Sequence, residues 1–169
     1  MSAARCWASK HQSRDNIELA DAIHEAAHAV TGVRLGRGVE EVSLLPPDDD
    51  GYRFGLCKYL DRVPTPAWVD TALAAYGAER LLLEALGIDL DDFEFSSCAI
   101  DFDLAHRLIA HLYPTASDTE REALYGASLA RGCDRARAWW GQIAAVADAL
   151  LESQVVSGDE VGSLCQAAA

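Results

Sequence analysis

The sequence predicts an α+β fold, mostly α-helical with one small β-sheet or hairpin, in a single domain. Three observations carry that reading. Apolar residues recur at helical spacing over most of the chain. Only Val39 to Leu60 holds short Val-, Leu- and Tyr-rich runs around a Pro/Asp/Gly turn. The length of 169 residues, with 50% hydrophobic and 24% charged residues, suits one core of ordinary size.

Residues 1–14 are polar and unpatterned and are expected to form a loose N-terminal tail, leaving residues 15–169 as the domain. A first helix is expected from Ser13 or Asp15, both competent N-caps, to about Gly32. Ile17, Ala20, Ile23, Ala27, Val30 and Val33 form its apolar stripe. "VEEVSLLP" (Val39 to Pro46) and "YRFGLCKYL" (Tyr52 to Leu60) flank "PDDDG" and read as paired strands. Thr65 to Gly87 reads as one long apolar helix, with Pro66 in its first turn and Gly87 as its stop. After an acidic loop, a third helix is expected over about Asp101 to Leu112, ended by Pro114. The capping box "SDTE" at Ser117 opens a helical stretch to about Ser153, with Gly126 and Gly132 as the expected interruptions. A second such signal, "SGDE" at Ser157, opens a short final helix. Trp139 and Trp140, adjacent on a helix, cannot both face one core.

Charge excludes some functions. Twenty-seven acidic residues against 14 basic give a net charge of -13, a field that repels nucleic acid and anionic membrane surfaces. No apolar run approaches the roughly 18 residues of a membrane helix. The N-terminus lacks the apolar core of a secretory signal, so a cytoplasmic location is expected. Five scattered cysteines without a C-x-x-C pair are expected to be reduced thiols, with Cys98 read as a buried structural one or, three residues before Asp101, as one near the site.

The chemistry lies in "HEAAH", His24 to His28. On a helix, residues four apart share a face, so both imidazoles can reach one metal ion. Glu25 sits about 100° round the helix, off that face but within reach of a water on the metal. Two imidazoles on Zn²⁺ and a carboxylate that takes a proton from the water are the parts of metal-assisted hydrolysis. An alanine-rich helix also makes these polar groups costly to bury without a partner. A third ligand must come from downstream, and spacing leaves Glu79, Glu84, Asp101, Asp103, His106 and His111 all open.

From Asp15 to Leu164 the chain resembles the peptidase domain of FtsH-type membrane-bound AAA+ proteases. "HEAAHAV" is similar to that family's His-Glu-Ala-Gly-His-Ala motif, and "VEEVSLLPPDDDGYRFGLCKYL" to its strand pair. "YGAERLL" (Tyr76 to Leu82) resembles its glycine, alanine and glutamate segment. "IDFDLAHRLI" (Ile100 to Ile109) is similar to its Asn-Asp-Ile-Glu-Arg-Ala-Thr pattern at Asp101, Asp103 and Ala105. "ARAWWGQIAAVADALLESQVVSGDEV" (Ala136 to Val161) resembles its closing helices. The resemblance implies a helical zincin domain whose zinc is held by His24, His28 and Asp101. It gives Glu79 the role of orienting a histidine, or of an alternative ligand. The chain departs from the family at Ala27, a glycine there, and at "SCAI" (Ser97 to Ile100), where the family has Gly-Ala-Ser-Asn. It has no Gly-x-x-x-x-Gly-Lys-Ser/Thr segment, and its only lysines are Lys10 and Lys58.

The expectation is a stand-alone, zinc-dependent, ATP-independent endopeptidase that cuts flexible or unfolded protein segments, with Glu25 as general base. Substrate is expected along the hairpin edge at Phe54, Gly55, Leu56 and Cys57. A homo-oligomer, or a partner protein that supplies substrate, fits the same reading. Its rivals are a catalytically silent zinc-containing binding or regulatory protein, a narrow processing peptidase for one dedicated substrate, and an HExxH peptidase using Glu79 or Glu84 as third ligand.

Overall fold

A computed structural model describes residues 2–45, 55–89 and 96–168. Helices α1 (Ala3–Lys10) and α2 (Asn16–Arg34) are followed by strands β1 (Val39–Leu44) and β2 (Gly55–Tyr59). Helices α3 (Pro66–Ala72), α4 (Ala74–Leu86), α5 (Ser96–Leu112), α6 (Asp118–Ala138) and α7 (Trp140–Ser153) come next. Strand β3 (Val155–Ser157) and helix α8 (Gly158–Ala167) close the chain. The fold is mostly helical with one three-stranded antiparallel sheet, ordered β2-β1-β3.

Helix α2 is the centre of the molecule. It is buried on every side from Leu19 to Gly32, except at Asp21, with α4, α7, α8 and the sheet packed around it. Alanines at 20, 22, 26, 27 and 29 let these neighbours approach closely. Asp15 caps the helix through Ile17 N. The sheet covers one side of α2 with Val42 and Val156, both fully buried and in register. A smaller core of Val69, Leu73, Ala105, Leu108 and Ile109 joins α3 to α5.

Residues 1–14 are not a loose tail. Ser2 caps α1, and Trp7 is 6% exposed against Trp140. Trp7 Nε1 (2.7 Å), Lys10 Nζ (2.6 Å) and His11 Nε2 (2.7 Å) all reach the Asp148 carboxylate on α7. Eight residues with three buried apolar side chains are too few to show a period, and their partners lie far along the chain, on α4 and α7.

Two helices break where no glycine or proline marks the place. The stretch from Thr65 to Gly87 divides at Leu73, and the later one divides at Trp139, not at Gly126 or Gly132. Gly132 instead gives room: a Cβ there would stand 2.7 Å from the Leu73 carbonyl. Gly87 does end α4, in the left-handed conformation at φ 73°. Helix α5 starts earlier than expected, at Ser96. Of the tryptophan pair, Trp140 is buried and Trp139 half-buried. No helix among the described residues is long and apolar enough to cross a membrane.

Candidate metal centre

His24 and His28 lie one turn apart on α2, 6% and 8% exposed, with ring centroids 4.6 Å apart. Their Nε2 atoms are 3.0 Å apart. Asp101 enters from α5 and places Oδ2 3.0 Å from His24 Nε2 and 3.1 Å from His28 Nε2. Three potential ligand atoms thus form a nearly equilateral triangle.

The other ring nitrogens set the tautomers. His28 Nδ1 lies 2.9 Å from the Thr71 carbonyl oxygen, which can only accept, so Nδ1–H donates. His24 Nδ1 likewise donates to Glu79 Oε1 on α4, at 2.5 Å, and Glu79 is fully buried. In the neutral rings both Nε2 lone pairs therefore face the Asp101 carboxylate, a cluster that repels itself unless a cation sits within it. Neighbouring ligands in a tetrahedral zinc site stand roughly 3.3–3.5 Å apart, given arms of about 2.0–2.2 Å. The observed 3.0–3.1 Å triangle needs to expand by only a few tenths of an ångström. The donor set, two imidazoles and one carboxylate, fits zinc with a fourth position open.

The metal-free electrostatics express the same demand for positive charge. Burial pulls the His24 ring down, but its hydrogen bonds with Asp101, Cys98 and Glu79 outweigh this and raise it well above the ordinary value. His28 is also raised, because the Asp101 charge and hydrogen bond outweigh burial. Asp101 moves the opposite way: burial favours its neutral form, yet both histidines hold it below the carboxylate range.

Glu25 is 6% exposed, and burial raises its carboxyl despite the opposing charges of His28 and His24. Its neighbour is the first residue of β2. A Cβ on Gly55 would run into Glu25 Cγ, Cδ and Oε1, so only glycine lets the strand pass so close to this carboxylate. Strand β2 is an outer strand of the sheet. Leu56 is exposed, and burial pushes the Cys57 thiol up to about 12. Phe54 lies outside the described residues.

The remaining candidates are placed elsewhere. Glu84 pairs with Arg80 and Asp103 with Arg107, both partly solvent-exposed. His106 stacks on Tyr125 at 4.2 Å, and His111 is exposed. Cys98 is buried and stands beside the site, with Sγ 3.9 Å from His24 Nδ1. With Glu79 it forms a second grouping of potential ligands behind His24.

Sequence reasoning missed the Thr71 carbonyl. The break at Leu73 puts Thr71 in the last turn of α3, where carbonyls lack the i+4 partner of a helix interior. No side-chain signal marks a backbone acceptor.

No family model matches this chain, and no curated protein matches it either. Its chemistry must therefore be read from the site.

Proposed function

We propose that the protein is a zinc-dependent, ATP-independent endopeptidase acting on extended, flexible protein segments. The observation that carries the reading is the convergence of His24 Nε2, His28 Nε2 and Asp101 Oδ2 within 3.0–3.1 Å, beside a buried carboxylate under an outer strand. The resemblance of the motif order to FtsH-type peptidases supports the same assignment.

His24, His28 and Asp101 would hold the ion, and Glu79 and Thr71 keep both rings turned toward it. Zinc there would supply Lewis acidity, lowering the pKa of a water and polarising a peptide carbonyl. Glu25 takes the proton of the attacking water and passes it to the leaving amide nitrogen. An extended segment adds to the β2 edge through main-chain hydrogen bonds, which makes recognition tolerant of sequence.

The test is hydrolysis of casein by the wild type and by Glu25→Gln, with zinc measured in both. Glu25→Gln is expected to retain zinc and lose at least about a hundredfold in rate. Equal rates, or zinc in neither protein, would refute the assignment.

A further inference from the structure

We propose that Arg37 is a positioning residue that locks the substrate strand and one metal ligand into a single frame. The inference rests on the peptidase reading, and extends it to a cluster well away from the reacting atoms.

The Arg37 side chain is 6% exposed although it carries a full charge. Its guanidinium carbon lies 3.6 Å from the Tyr59 ring centroid and 4.2 Å from that of Trp68. Asp61 completes the cluster, accepting from Arg37 Nε at 3.0 Å, Arg37 Nη2 at 3.2 Å and Trp68 Nε1 at 2.6 Å. Such a planar, two-pronged, stacked site fits arginine and not lysine.

From this stack one arm runs to the substrate strand. Tyr59 OH donates to the His28 carbonyl at 2.9 Å, and its ring lies against Gly32, where a Cβ would come within 2.6 Å of Cε1. Gly55 and Tyr59 thus touch α2 at Glu25 and Gly32. Seven helical residues span about 10 Å and four strand residues about 13 Å, so the strand lies along the helix. Fixing Tyr59 therefore fixes how far Gly55 stands from Glu25. The second arm runs through Trp68, three residues before Thr71, whose carbonyl orients His28.

The arms predict separable defects. Tyr59→Phe should raise KM for a flexible peptide about tenfold and leave the zinc Kd unchanged. Trp68→Leu should weaken zinc about tenfold with a smaller effect on KM. Arg37→Met should do both, and Arg37→Lys should not restore the wild-type values. All are measured well below each variant's unfolding midpoint. A purely structural cluster would lower that midpoint while KM and zinc Kd stay within about twofold, and that result overturns the proposal. Full rescue by Arg37→Lys overturns it too. Should Arg37→Met fail to fold, Tyr59→Phe and Trp68→Leu decide the matter. If the wild type shows no hydrolysis that depends on Glu25, the peptidase reading falls, and the zinc affinities of Trp68→Leu and Arg37→Lys still judge the Arg37 frame.

Discussion

Gly55→Ala adds one methyl group where there is no room for it. The new carbon would overlap three atoms of Glu25, Cγ, Cδ and Oε1. Carbon atoms settle at about 3.5–4.0 Å, so relief demands a relative shift on the order of 1–2 Å. Glu25 is on the central helix, packed on all sides, so the movement must fall on its carboxylate or on β2. Either displaces the proposed base or the proposed substrate edge. A misplacement of about 1 Å costs roughly a hundredfold in rate, whereas overpacking costs stability only about 1–3 kcal/mol. Zinc should remain, because Gly55 is not in contact with His24, His28 or Asp101 by any bond in the triangle. The assay is steady-state cleavage of a fluorogenic peptide, with zinc content and unfolding temperature measured on the same preparation. Wild-type cleavage by a folded, zinc-loaded Gly55→Ala protein would refute the link between this strand and Glu25.

Other perturbations separate ligand, support and scaffold. Asp101→Ala removes a triangle corner and should abolish stoichiometric zinc, whereas Glu79→Gln, which still accepts from His24 Nδ1, should weaken zinc only about 10–100-fold; metal analysis after dialysis compares them, and the reverse order would make Glu79 the ligand. Asp70 is clamped by Arg131 at 2.8 Å and Arg135 at 2.6 Å, and these outweigh burial to hold its carboxyl below the ordinary value. A carboxyl lowered by folding contributes stability in full above the unfolded value of about 3.9 and loses it as pH falls toward the folded value. Asp70→Asn should therefore lower stability at neutral pH by about 1–3 kcal/mol and flatten its decline below about pH 4. Urea unfolding at both pH values measures this, and an unchanged acid slope would remove Asp70 from the account.

The helix carrying His24, Glu25 and His28 is legible along the chain, because their spacing and the alanine-rich apolar stripe are local properties of one helix. The strand pair and the capped starts at Ser117 and Ser157 are legible there too, since strand-forming runs and capping side-chain oxygens act within a few positions, while the Pro/Asp/Gly turn lies outside the described residues. Spacing could not choose Asp101 over Glu79 or Glu84, because that choice depends on which face each downstream helix turns toward α2. Folding packs α4 behind His24 and α5 in front of it, which brings Asp101 Oδ2 to both Nε2 atoms and Glu79 to His24 Nδ1. The same packing tied α1 to Asp148, broke a helix at Leu73 and left the Thr71 carbonyl for His28. These features join backbone atoms and residues dozens of positions apart. Their energies come from contacts that exist only once the chain is folded, so no local pattern along it announces them.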